Sequence, residues 1–166
     1  MKKWLLVILA CLLGISCLGC AMVEALDNRK ENLKHAEKIS KELIRCINEK
    51  DVDGIEQLFN RYSQNEENLR DDIEDFLDHI DGEILDYIIT WGEVSLSIED
   101  GTWTEQKTET KIENIITDTG KRYHIRFREY MIYTEDKDKE GGILLLLLYD
   151  ENKKNYAGYA ICKNYS

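Results

Sequence analysis

An α+β domain behind a secretory leader is what this sequence predicts, and three observations carry the prediction. Apolar residues recur every three to four positions as far as Ile80, and from Glu83 onward they recur every second position. Helices followed by strands are the pattern of a layered α+β domain. Ahead of both, Met1-Lys2-Lys3 opens a stretch without charge from Trp4 to Val23.

The first helix is expected from about Leu33 to Glu49, where Ile39, Leu43, Cys46 and Ile47 form one stripe. A second follows with Asp51 or Asp53 as its cap and Val52, Ile55, Leu58 and Phe59 inward. A third is expected from Ser63, with Glu66 as its capping-box partner and Leu69, Ile73, Phe76, Leu77 and Ile80 as its stripe. Gly82 supplies the left-handed residue that ends it.

In the second half, Leu85, Tyr87, Ile89 and Trp91 alternate, and Val94, Leu96 and Ile98 continue the strand to an Asp100-Gly101 hairpin turn. A long strand then reaches Ile116, and Asp118-Thr119-Gly120 turns into the next. There Tyr123, Ile125, Phe127, Glu129, Met131 and Tyr133 share one face. A charged loop over Glu135 to Gly142 precedes the apolar run Ile143 to Tyr149, read as a central strand buried on both faces. A last strand, Tyr156 to Cys162, closes the sheet.

The leader is read as a lipoprotein signal. Its apolar length barely reaches what a spanning helix needs, and Gly14, Ser16 and Gly19 crowd its second half. Small residues before a cysteine fit lipidation, whereas no A-x-A-like site is present. Cys20, preceded by Gly19, is the expected lipidated residue, with Cys17 the alternative. Residues 1–19 are thus the signal peptide, 20–33 the anchor and a short tether, and 34–166 a single domain. The chain lacks proline, so the tether is not a rigid proline-rich spacer. The expected location is the outer face of the cell membrane, held there by the lipid.

With 22 basic and 33 acidic residues the net charge is −11, and losing Lys2 and Lys3 with the leader deepens it. That excludes a nucleic-acid partner, which needs a basic patch. It also excludes electrostatic adhesion to anionic lipid and leaves the covalent lipid as the membrane contact. Cys46 and Cys162 are the cysteines beyond the leader, open to a disulfide or to two buried thiols.

No G-x-S-x-G, Walker loop or H-E-x-x-H motif occurs, and the one C-x-x-C spacing, Cys17 to Cys20, lies in the leader. Glu129 is the one catalytic candidate, because a carboxylate on an apolar strand face would titrate high enough to act as a base. No His or second carboxylate shares its alternation, so it is expected to face water where the strand leaves the core. His35, His79 and His124 are scattered, and the carboxylates beside His79 read as the wet side of a helix. Asp136-x-Asp138-x-Glu140-Gly141 begins like a calcium loop, but its twelfth position would be Leu147. No metal or cofactor is expected. Trp91, Trp103, Tyr123, Tyr130 and Tyr133 are the candidates for lining a pocket or an interface.

Three segments are informative together: Lys50-Asp51 through Leu58-Phe59; Phe76 through Ile80-Asp81-Gly82-Glu83-Ile84 to Tyr87; and Ile112 through Asn114-Ile115, Thr117-Asp118 and Gly120-Lys121 to Tyr123 and Ile125. With Gly141-Gly142-Ile143 they resemble a family of Gram-positive lipoproteins designated domain of unknown function 5104. The resemblance runs from about His35 to Ile161. It implies a cone similar to the nuclear transport factor two-like, or cystatin-like, fold: three helices on a curved antiparallel sheet. It brings no established activity. Enzymes of that cone, such as ketosteroid isomerase and scytalone dehydratase, work with Asp, Tyr or His inside it. The expected function is a non-catalytic module of the cell envelope that binds a protein or small molecule. A small isomerase- or dehydratase-type enzyme built on Glu129, or a toxin-immunity or structural partner, stands as the alternative.

Overall fold

The computed structural model describes residues 30, 33–99, 102–133, 141–153 and 157–161. The leader, most of the tether, the Asp100-Gly101 turn, the charged loop over 134–140, Tyr156 and Cys162 lie outside them. Contacts divide the chain into Met1–His35 and Ala36–Ser166, and the second unit is described here.

Helices come first and a five-stranded antiparallel sheet follows, so the domain is α+β. Helix α1 covers residues 33–49, of which 36–49 belong to the second unit. Ala36, Ser40, Leu43, Ile44, Cys46 and Ile47 are its buried stripe. It ends at Lys50 in the left-handed region, φ 53°. There the Asp51 amide donates to the Cys46 carbonyl at 2.8 Å and the Lys50 amide to Ile47 at 3.2 Å, a Schellman closure.

Helix α2, Val52–Leu58, is capped by Asp51, whose carboxylate accepts the Gly54 amide at 2.8 Å. That bond, with Arg45 beside it, holds the Asp51 carboxyl below its ordinary range. The helix expected from Ser63 divides in two: α3, Arg61–Gln64, and α4, Leu69–Asp78. Asn60 rather than Ser63 is the cap, because its side chain takes the Ser63 amide at 2.8 Å. Ser63 is therefore inside a turn and buried, and Glu66 is no capping-box partner. The stripe Leu69, Ile73, Phe76, Leu77 and Ile80 is buried throughout, as its spacing requires.

The strands are β1 (Ile84–Glu99), β2 (Thr102–Thr117), β3 (Arg122–Tyr133), β4 (Gly142–Asp150) and β5 (Ala157–Ile161), paired in chain order. Tyr123, Ile125, Phe127 and Glu129 alternate on the buried face of β3, against Ile112 and Ile115 of β2 and Ile143, Leu146 and Leu148 of β4. Two strand expectations change. The alternation through Leu85, Tyr87, Ile89 and Trp91 leaves Leu85 65% and Trp91 48% exposed, the latter opposite buried Thr110. Bulges between Ile84 and Asp86 and between Asp86 and Ile88 reset the two-residue parity around Leu85, whereas Trp91 keeps the phase of Ile89 and a further bulge follows it before Val94. On β4, Leu145, Leu147 and Tyr149 are only half-buried, so the run is fully buried on one face rather than both.

In the seam between helices and sheet, residues 77–84, eight backbone groups are bonded from elsewhere in the chain. Lys50 Nζ donates to the carbonyls of Leu77 (2.6 Å) and Ile80 (3.2 Å), capping the C-terminal end of α4 with a cation. The Asn48 amide accepts from the Ile84 N–H at 2.8 Å and donates to its carbonyl at 3.0 Å, as a neighbouring strand would. Asp118 accepts the Glu83 amide on its carboxylate (2.8 Å), and its own amide donates to the Glu83 carbonyl (2.9 Å). The Thr119 hydroxyl donates to Asp81 O (3.0 Å), and Asp81 N–H donates to Tyr123 Oη (3.1 Å).

Gly82 belongs to this seam rather than to the helix end, whose cap residue is His79. Its φ is +89°, and a Cβ there would sit 2.3 Å from Asp118 Oδ1. Gly82→Ala is therefore expected to cost about 2 kcal/mol or more through backbone strain and a displaced Asp118. Urea unfolding of the two forms measures it, and an alanine form as stable as the parent refutes the seam's role.

Candidate functional site

Two places combine unusual chemistry with defined geometry. The first is on the helix-facing side of the sheet. Glu129 is fully buried there, opposite Thr108 on β2 and Ile143 on β4. The Thr108 hydroxyl donates to Glu129 Oε1 at 3.4 Å. Thr110, the next residue of that face on β2, is fully buried, and its hydroxyl meets no partner among the described residues. The expectation that Glu129 faces water is thus overturned. The strand does not leave the core at this point, because the Phe59-Asn60 segment closes over the start of β4. Phe59 bridges Ile143, and the Asn60 amide donates to the Ile143 carbonyl at 3.0 Å. Gly142, with φ +131°, permits this approach, since a Cβ would lie 2.8 Å from the Asn60 nitrogen.

Burial pushes the Glu129 carboxyl up to about 7, opposed by the Thr108 hydrogen bond. The folded protein therefore holds a proton that the unfolded chain releases nearer the ordinary value of 4.5. Stability from this group is complete below the unfolded pKa and is lost as pH rises to the folded one.

The second place is an open groove of about 420 Å3 lined by Trp91, Gly92, Glu109 and Lys111. It arises where β1 bulges between Trp91 and Val94. Gly92 allows β1 to lie close to β2, its missing Cβ standing 3.0 Å from the Glu109 carbonyl. Beyond the groove the same side of β3 and β4 carries Arg126 over the Tyr149 ring, 5.3 Å from its centroid. His124 stacks on that ring at 4.4 Å.

The remaining sequence candidates separate widely. Tyr123 is a core residue, 2% exposed and bonded to Asp81 through its hydroxyl, so it lines no open site. Its burial raises the phenol pKa. Cys46 is a free, buried thiol pushed up to about 11 by desolvation, while its candidate partner Cys162 is outside the described residues. The side chains of Trp103, Tyr130 and Tyr133 are also outside them, as are Cys17, Cys20 and the acidic segment at Asp136. Among the described residues no group of His, Cys, Asp and Glu is placed to hold a metal ion. None of their helices is long and apolar enough to cross a membrane.

A family model for a domain of unknown function, DUF5104, matches residues 42–151. The chain belongs to that family. The match takes in the seam, Glu129 and the groove, so all three lie in the part of the chain that the family model describes. In this member of DUF5104 the Asp81-Gly82-Glu83 and Thr117-Asp118-Thr119 segments are bonded to each other, which gives them a structural task. No curated protein matches the chain. Sequence reasoning passed over Thr108, Thr110, Lys111 and Arg126, since strand pairing alone makes them neighbours of the residues it did single out.

Replacing the carboxyl tests the burial of Glu129. Glu129→Gln is expected to stabilise the protein at pH 8 relative to pH 5 by on the order of 3 kcal/mol compared with the parent. Denaturation curves at both pH values read this difference, and equal pH dependence in the two proteins would show that Glu129 titrates as a solvated group.

Proposed function

We propose that this protein is a lipid-anchored lipoprotein of the cell envelope, of the Gram-positive kind, whose domain binds a protein or small molecule without catalysing a reaction. One observation carries the reading: an uncharged stretch after two lysines, with small residues running up to Cys20. A chain of net charge −11 has no electrostatic hold on an anionic membrane, so a covalent lipid is the attachment that suits it. The nuclear transport factor two-like cone belongs to the same reading. Helices ahead of a bulged antiparallel meander support it, because bulges bend strands.

A second reading is favoured by a single fact, the burial of Glu129. A carboxyl titrating near 7 inside an apolar layer is in the range of a general base, which suits a pocket enzyme of the isomerase or dehydratase type.

Lipidation is checked directly by growing cells on a clickable fatty acid and fractionating them. The full-length protein is expected to carry label and to pellet with membranes. Cys20→Ser should lose the label while Cys17→Ser retains it. Absence of label from the parent protein, or processing indifferent to globomycin, removes the anchor from the proposal.

A further inference from the structure

We propose that the β1 edge of the sheet docks a second copy of this chain, the two edges pairing antiparallel about Ile89. This pairing goes beyond the binding-module reading and needs neither the lipid anchor nor a ligand. Among the described residues β1 is an edge of the sheet, with β2 as its one neighbouring strand. Its open side is met at Ile84, where the Asn48 side chain bonds both backbone groups as a neighbouring strand would. Between Ile84 and Asp86 β1 carries one residue more than β2, which shifts its alternation by one. From there Tyr87, Ile89 and Trp91 turn their backbone groups to the open edge. The Tyr87 amide agrees with this phase: it donates to the Asp86 carboxylate at 2.9 Å.

Side chains decide the occupant. Ile88 is 52% exposed on the outward face of β1, and Trp91 is 48% exposed on the helix-facing side. A helix or loop laid on one face covers one of them, whereas a strand added in the plane of the sheet covers both. Tyr87-Ile88-Ile89-Thr90-Trp91 reads alike from either end: an aromatic, a β-branched residue, isoleucine, a β-branched residue, an aromatic. Such a segment is its own complement about a two-fold axis. Turned about Ile89, it sets Ile89 against its copy, Tyr87 against Trp91 and Ile88 against Thr90, pairs of the kind that stabilise sheets. Asp86 falls opposite Gly92 rather than another acid, and Lys111 lines the groove beside it while Glu109 is paired with Arg128. The pairing stops at both ends. Asn48 occupies the edge at Ile84, and β1 bulges again between Trp91 and Val94. Residues 86–92 remain, and Ile89 is their centre. A two-fold contact closes on itself, so this edge makes a dimer and not a fibre.

Cysteine cross-linking of the full-length chain in detergent reads the register, with Cys162→Ser throughout. Ile89→Cys alone is expected to form a covalent dimer on mild oxidation, because residues paired on the axis lie within disulfide reach, about 5.5 Å between Cα atoms. Ile88→Cys or Thr90→Cys alone should link roughly tenfold more slowly, since neither faces its own copy, and a mixture of the two should link one variant to the other. In sedimentation equilibrium the parent is expected to dimerise. Ile88→Lys, a charge at an exposed edge position, should weaken that dimer roughly tenfold or more, and an unaltered circular dichroism spectrum shows it folded. A monomeric parent, equal linking rates for the three cysteine variants, or a dimer that Ile88→Lys leaves intact overturns the proposal. Equal rates are what chance sharing of a micelle gives. A monomer that takes up an extended peptide at β1 assigns the edge to another protein's strand and equally overturns the second copy.

Discussion

The fold turns on how the chain passes from helices to sheet between Leu77 and Ile84. Eight backbone groups there would otherwise be left to water or to burial, and side chains or amides from three other places take them. Asn48 and Lys50 reach in from the end of α1, Asp118 and Thr119 from the β2–β3 turn, and Tyr123 from β3. Each is a bond whose loss would leave a partner unsatisfied, and such losses are dearer than the bond itself. The consequence is geometric. Once the seam is bonded, the position of α4 over the sheet and the register at which β1 begins are set together.

From that seam the sheet runs with two unlike faces. One is dry, filled by Ile112, Ile125, Phe127, Leu146 and Leu148 against the helical stripes. The other carries Arg126, Arg128, Lys111 and Glu109 with Tyr149 between. Glu129, a buried carboxyl, and Trp91, an exposed aromatic opposite buried Thr110, are the exceptions on the helix-facing side, and both stand next to an irregularity. A register shift between Arg128 and Glu129 adjoins the first, and the Trp91–Val94 bulge adjoins the second. Bulges are where a sheet can present a side chain out of phase with its neighbours.

Binding and anchoring fit together physically. An acidic domain is repelled by an anionic surface, so the lipid tether proposed above would hold it near the membrane without the sheet's polar face having to bind there. The pair Lys111–Arg126 sets two positive side chains opposite each other in a chain of net charge −11.

Much of this was legible from residue order. The α1 and α4 stripes, the Asp51 cap, the Asp118-Thr119-Gly120 turn and the alternation through Tyr123 to Glu129 all appear where local spacing places them, because helix and strand periods are short-range properties. The start of α4, the exposure of Leu85 and Trp91 and the half-burial of Leu147 did not follow. Capping at Ser63 was pre-empted by Asn60, and β1's bulges changed parity without any signal in composition. The two candidate places divide in the same way. Sequence alone determined that Glu129 shares a face with Phe127, that the chain is acidic and that an uncharged stretch runs from Trp4 to Val23. Only the tertiary structure decided that Glu129 is sealed from water and that Lys111 faces Arg126. Burial and cross-strand pairing depend on residues distant in the chain, which no local pattern encodes.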